Sequence, residues 1–358
     1  MTKPTFRHCS AWTLTLLLAV GAAQAAPLDA LLEAKPQARY GQGFVEVAAD
    51  HMNQSLDVFK LRSTDLPAGE NTGDYQGATV RAGLSLRPDL WLDGALQRRK
   101  LTYGPDQPQI DSWRVGGQWQ FWQGPGLPGT TGGSAALRLS AWGNQSGQVN
   151  KTTPTALPGC IASVCSIVAS RLSVHDAQDR TVQADVIGSW PLGPVQLSAF
   201  AGAGQGKVSV GSITANIAGI PVTYANGSFG GVFDALVPPS FNTELQSANY
   251  STRMAQAGFN LAYSSGPWHL RGGYALQNIQ RTAVDEVIRA KGKTPYSLNH
   301  TLVGEVAYQI SPSVVLFTRG QAMSNQFLTE IPFLYNSLTS HRFNQRYGVL
   351  SVGLGVVF

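Results

Sequence analysis

The sequence predicts an all-β fold, closed as an up-and-down antiparallel barrel of about twelve strands. Three observations carry that prediction. Segments of about ten residues alternate apolar and polar side chains with period two, the signature of a strand with two unlike faces. The connections alternate in length, short Pro- and Gly-bearing turns against long polar loops. The strand count is even, which returns both ends of the sheet to one side.

The first residues read as a leader to be removed. Lys3 and Arg7 form a basic start, "AWTLTLLLAV" supplies an apolar core, and Ala23 and Ala25 give the small residues of a cleavage site, so residues 1–25 are a signal peptide. The run is too short to span a membrane as a helix. Its loss leaves 24 basic against 21 acidic residues, a formal charge of +3 rather than +5. The basic residues form no run, which argues against a nucleic-acid partner. Cys9 leaves with the leader. Cys160 and Cys165 remain close together in a polar stretch, and an exported chain meets oxidising conditions, which favours a disulfide over a metal site or a reactive thiol. Only 13% of residues are charged and 39 are Gly, yet mean hydropathy is near zero. After the leader no apolar stretch reaches 18 residues, which excludes a helical membrane protein.

Residues 26–40 form a short N-terminal segment on the periplasmic side. Within it "APLDALLEAKP" (26–36) is a helix candidate with Leu28, Leu31 and Leu32 on one face. It is a bare stub, a plug for the barrel mouth, or a dock for a periplasmic partner. The barrel takes residues 41–358. Strands are expected near 43–51, 78–87, 91–100, 111–122, 135–144, 181–190, 195–204, 255–264, 268–277, 300–310, 314–323 and 348–358. The clearest is "ATVRAGLSLR", with Ala78, Val80, Ala82, Leu84 and Leu86 against Thr79, Arg81, Gly83, Ser85 and Arg87. "SWRVGGQWQF" and "ALRLSAWGN" repeat it. Near residues 314–323 the faces blur, because Phe317 shares parity with Arg319 and Gln321. Short turns fall at 87–89, 124–134, 191–194, 264–267 and 311–313. Long loops fall at 56–74, 145–180, 206–247, 278–297 and 324–346. Residues 207–233 also alternate; they read as an extracellular hairpin or an inward-folded loop, and a fourteen-strand barrel would take both arms into the membrane.

Alternation cannot say whether the apolar face looks inward, as in a soluble barrel, or outward to lipid. Aromatic placement can. Trp91, Phe121, Trp122, Trp190, Tyr263, Trp268 and Tyr308 flank the short turns, while Trp142, Tyr274, Tyr296 and Tyr347 sit toward the long loops. Two such belts mark the boundaries of a membrane. The apolar faces are also rich in Gly and Ala, which would fill a soluble core poorly.

The last residues, "GVLSVGLGVVF", put Leu350, Val352, Leu354, Val356 and Phe358 on one face and end on a ring. This resembles the C-terminal signature of Gram-negative outer-membrane β-barrel proteins. The resemblance implies outer-membrane placement, short periplasmic turns, long extracellular loops, and recognition by the barrel-assembly machinery through those five residues. Outer-membrane lipid is then a partner; a homo-oligomer is left open.

A barrel of this size has a narrow interior. The polar faces carry Arg81, Arg99, Arg114, Arg138, Arg271 and Arg319 with Glu46, Asp50, Asp93, Asp185 and Glu305. Either these line a water-filled pore, where guanidinium groups favour anions, or they pair into a network that plugs it. The expected function is a porin-like channel for passive diffusion of small hydrophilic, anionic solutes. The alternative from another class is a non-conducting structural, adhesion or export-partner barrel acting through its loops or N-terminal segment. No enzyme is expected. His175, Asp176 and Asp179 could offer a general base, but nothing marks a nucleophile beside them. His269, His300 and His341 lack metal-ligand spacing, so no metal or cofactor is expected. "AGAGQGKVS" fails as a phosphate loop, because Ala201 and Val208 occupy its required Gly and Ser/Thr positions.

Overall fold

In the computed structural model twelve strands form a closed wall. The structure describes residues 30–34, 42–52, 72–103, 106–157, 167–230, 239–325, 328–337, 339–340 and 346–358. The signal-peptide residues and the Cys160–Cys165 pair lie outside them. In chain order the strands are β1 (Gly43–Met52), β2 (Thr72–Arg87), β3 (Leu90–Tyr103), β4 (Gln109–Gly124), β5 (Gly133–Lys151), β6 (Thr155–Leu157), β7 (Ile167–Leu192) and β8 (Val195–Ser209). There follow β9 (Ser212–Ile217), β10 (Ile220–Ala225), β11 (Tyr250–Ser265), β12 (Trp268–Arg281), β13 (Leu298–Ser311), β14 (Val314–Met323) and β15 (Tyr347–Val357). Each wall strand pairs antiparallel with its neighbours in sequence order, β6, β9 and β10 standing aside. β1 closes on β15, with Glu46 opposite Gly355, and Gly43 and Phe358 exchange backbone hydrogen bonds of 2.9 and 3.0 Å. The chain ends where the seam ends. Closure leaves the twelve-strand wall without a free edge, as a membrane-spanning sheet requires.

The wall is the twelve-strand arrangement. Of residues 207–233, those up to Ser209 complete wall strand β8, and β9 and β10 stay out of the wall as a hairpin whose β9 pairs with residues 169–175 of β7. The expected loop 145–180 is largely strand, because β5 and β7 stay paired out to Lys151 and Leu172. Beyond the membrane both faces meet water, so apolar–polar contrast vanishes while backbone pairing continues. Two short helices, α1 (Pro239–Gln246) and α2 (Val284–Ala290), lie in the extracellular connections.

The outer face is apolar. Leu350, Val352, Leu354 and Val356 are 41–51% exposed and Phe358 is 64% exposed, with Val47, Leu96, Leu139, Val186 and Leu302 on the same surface. Exposed apolar surface on this scale needs lipid. The polar parity faces in: Glu46, Arg81, Asp93, Arg138 and Glu305 are all buried. Near the short turns Trp119, Phe121, Trp122, Tyr263, Trp268 and Tyr308 form the outer aromatic belt. Phe121 and Trp122 both point out because a bulge between Gln120 and Trp122 inserts an extra residue.

Three expected belt residues are corrected. Trp91 shares parity with Asp93 and Trp142 with Arg138, so both turn inward and are buried. Trp91 stacks on Phe44 at 5.8 Å, and Trp142 joins an internal apolar cluster. Tyr296 packs against that cluster as well. The blurred faces of β14 resolve the same way. Phe317 is buried and points in beside Arg319, whose guanidinium lies 5.0 Å from the ring centroid.

Candidate functional site in the lumen

The lumen has a floor, a chamber and a roof. The floor is the chain's own N-terminal segment. Residues 30–34 run as a turn and an extended piece rather than a helix, and they lie inside the barrel. Leu31 and Leu32 are buried among Ala136, Ile187, Phe200, Ala275 and Val303. Wall side chains satisfy the backbone. Asn260 Nδ2 donates to the Leu32 carbonyl at 2.6 Å, Gln118 Nε2 to that of Glu33 at 2.9 Å, and Ser134 Oγ to that of Ala34 at 3.2 Å. The Ala34 N–H donates to Ser189 Oγ at 2.8 Å. Glu33 itself sits 3.7 Å from Arg271. Ser134 and Ser189 lie close to short turns, so the floor closes the periplasmic half.

The wall makes room for this segment at Gly273, where a Cβ would overlap the Ala30 carbonyl oxygen and press on Leu31. The obstacle is backbone and cannot rotate away. Gly273→Val is therefore expected to expel the segment while the wall still closes, raising protease cleavage before residue 40 by about tenfold. Mass mapping of the fragments, with the heat-dependent gel shift as a check on folding, reads this out.

The roof is the loop between β14 and β15. Leu328, Ile331, Phe333 and Tyr335 are buried with Leu101, Ile110, Trp142, Tyr250, Met254 and Ile279 of the wall and with Val284 and Ile288 at α2. Tyr250 donates its hydroxyl to the Pro332 carbonyl at 2.6 Å, and the Arg281 guanidinium lies 4.2 Å from the centroid of the Tyr335 ring. Asn144 Nδ2 donates to the Glu330 carbonyl at 2.9 Å. Lys291 and Ser337 both donate to Glu244 of α1, whose carboxylate is buried.

Beneath the roof lies a small polar cavity lined by Glu46, Asp50, Arg81, Arg99, Arg319 and Glu330, with Thr79, Gln97, Gln321 and Ser351. Most of its charges are paired. Arg81 donates to Glu46 at 2.6 Å. Glu305 accepts from Arg271 and Arg319, one carboxylate oxygen for each. Arg138 grips Asp93 bidentately at 2.7 Å, and Arg99 lies 3.5 Å from Glu330. Asp50 accepts from Thr79, Gln97 and Ser351, and Asp185 from Gln183 and Gln256. Arg114 is buried and faces inward. Every charge singled out in the sequence thus faces inward. The sequence reading missed Glu33, Asn144 and Glu330, which come from the N-terminal segment, the top of β5 and the roof loop.

Asp179 is buried against Asn144, accepting from its side chain at 2.8 Å, while His175 and Asp176 sit farther out on the β7 extension. His269 faces inward near the periplasmic turn with Ser264 Oγ at 2.9 Å, whereas His300 faces outward, 2.7 Å from the Tyr274 hydroxyl. Among the described residues no group of His, Cys, Asp or Glu could hold a metal ion.

Glu330 is the titrating group of the roof. Burial pushes its carboxyl up to about 7, with Arg99 pulling the other way. A carboxyl raised in the folded state favours docking fully below about pH 4.5, and that contribution fades as pH climbs through about 7. The docked loop should therefore loosen between pH 5 and pH 8, by on the order of 1–3 kcal/mol. Protease sensitivity of residues 324–346 at the two pH values checks this, and Glu330→Gln should flatten the difference.

No family model matches the chain, and no curated protein matches it. Solved structures resemble it in outline. The translocator domain of the autotransporter NalP from Neisseria meningitidis aligns with a TM-score of 0.47 and 10% identity over 89% of each chain. The β-domain of the Bordetella autotransporter BrkA gives 0.42 and 9% identity over 89% of this chain and 99% of that one. The KdgM porin gives 0.39 and 6% identity over 88% and 99%. From its closed wall, its apolar outer surface and its aromatic rim, the chain is an outer-membrane β-barrel protein.

Proposed function

We propose that the protein is a diffusion channel for small hydrophilic solutes, held shut at rest by its own N-terminal segment. The observation that carries this reading is the position of residues 30–34 inside the lumen, below a polar chamber. Their docking energy is close to balanced. Burying Leu31 and Leu32 contributes roughly 3–6 kcal/mol and four hydrogen bonds add about 4. Ordering five residues costs about 5–10 kcal/mol. A floor held so lightly can leave.

The chamber supports a wet pathway. Arg81 Nη2, Arg99 Nε, Glu46 Oε1 and Gln97 Oε1 are buried there without a hydrogen-bond partner among the described residues, a state that water relieves. The arginines are largely balanced by carboxylates, so the pore should discriminate weakly by charge; the anion preference expected from arginines alone becomes slight. In planar bilayers under a salt gradient, open events should reverse within about 10 mV of zero. Strong selectivity of either sign would exclude the balanced lumen. The competing reading is a non-conducting scaffold whose tall β5–β7–β9–β10 sheet serves adhesion or assembly. The paired charges favour it, and conductance divides the two. The chemistry of the lumen favours no enzymatic role.

A further inference from the structure

Three outward-facing cations stand together on neighbouring strands: Arg180 on β7, Lys207 on β8 and Arg253 on β11, all exposed. Arg180 and Lys207 are direct cross-strand partners. Lys207 lies opposite Ser251, which places Arg253, two residues on, at the diagonal. Opposed side chains in such a ladder start about 5 Å apart and diagonal ones about 7–8 Å. Like charges directly opposite each other are destabilising unless an anion lies between them. Among the described residues none of the three makes an ion pair; Arg180 has only the Gln178 side chain, at 3.4 Å. The contrast is with Arg98 on β3, also outward-facing, which Asp111 neutralises at 2.7 Å.

Their height identifies the anion. Each cation stands about ten residues along its strand from the periplasmic rim, marked by Trp190, Leu197 and Tyr263. At about 3.4 Å per residue and a tilt near 40°, that is about 26 Å along the membrane normal. The apolar band of an outer-membrane barrel is about 25 Å tall. Val182, Val186, Ala201 and Ala257 occupy the intervening outer surface. The three cations thus emerge where the acyl region ends and the outer-leaflet headgroups begin. We propose that Arg180, Lys207 and Arg253 form a binding site for a phosphate of the phosphorylated glycolipid of the outer leaflet, with Ser251 and Gln205 on the same face as additional hydrogen-bonding groups. This site is independent of whether the lumen conducts.

The test is native mass spectrometry of the full barrel in detergent micelles with added diphosphoryl lipid A, its dephosphorylated form, or inorganic phosphate. The wild-type barrel is expected to retain diphosphoryl lipid A, and Arg180→Gln/Lys207→Gln/Arg253→Gln to bind it at least about tenfold more weakly. The dephosphorylated form should bind both proteins equally and weakly. Retention of inorganic phosphate alone would overturn the lipid assignment. Equal retention of diphosphoryl lipid A by wild type and triple variant would overturn the site. The heat-dependent gel shift confirms that the variant is folded, and protection of Lys207 from acylation by added diphosphoryl lipid A gives a second reading without substitution.

Discussion

Deleting residues 26–36 is expected to turn a barrel that is shut or only briefly open into one with sustained openings, raising mean conductance by about tenfold or more. Within that segment residues 30–34 form the floor, with Leu31 and Leu32 in the periplasmic half of the lumen and four backbone groups held by Ser134, Ser189, Gln118 and Asn260. No wall strand depends on it, because β1 begins at Gly43 and closes on β15 without it. Its loss leaves the roof loop as the remaining obstacle. Openings of the deleted barrel should therefore be longer at pH 8 than at pH 5, following the Glu330 carboxyl. Planar-bilayer recordings at the two pH values read both effects. A deleted barrel that stays silent would favour the non-conducting scaffold; a full-length barrel that conducts equally well would show that the segment does not close it.

The second large effect is on stability. Glu305→Gln should lower the unfolding free energy by about 3–5 kcal/mol. Glu305 is 5% exposed, and its two oxygens hold two guanidiniums, Arg271 Nε at 3.1 Å with Nη2 at 2.5 Å and Arg319 Nε at 2.8 Å. Removing the carboxylate charge leaves two like charges facing each other across β12, β13 and β14. Arg271 would keep the more distant Glu33, and Arg319 the Phe317 ring. Water in the chamber screens part of this, which places the effect toward the lower end. Urea unfolding in lipid vesicles measures it. Glu305→Gln/Arg319→Met should recover part of the loss, since it leaves one cation rather than two. An unchanged midpoint for Glu305→Gln would mean that the network is too hydrated to matter.

The wall was legible because period two leaves little freedom: once Arg81 faces in, Val80 and Ala82 face out. The same logic was available for Trp91 and Trp142, whose neighbours Asp93 and Arg138 fix their direction. Aromatic character near a strand end pointed the other way, and parity wins because the pleat is covalent geometry. The tall β5–β7 extension was not legible, since strands wetted on both faces carry no contrast. The floor was partly legible in Leu31 and Leu32, two apolar residues in a short periplasmic segment. The roof left a signal that went unread. "LTEIPFLY" (328–335) is an apolar run inside a loop otherwise facing water, and such a run must find cover. Glu46–Arg81, Arg271–Glu305 and Glu305–Arg319 are direct partners on adjacent strands, so those pairs follow once register is known; Asp93 and Arg138 meet only because nonadjacent strands enclose one lumen.

The most direct measurement is conductance of Ala34→Cys/Ser189→Cys, with Cys160 and Cys165 replaced by Ser. The Ala34 N–H donates to Ser189 Oγ at 2.8 Å, which holds the two residues side by side, so the new thiols should cross-link on oxidation. Oxidised protein should be silent, and reduction should restore the brief openings of the parent barrel. Equal conductance in the oxidised and reduced states, with the cross-link verified by mass, would contradict a channel closed by its own N-terminal segment.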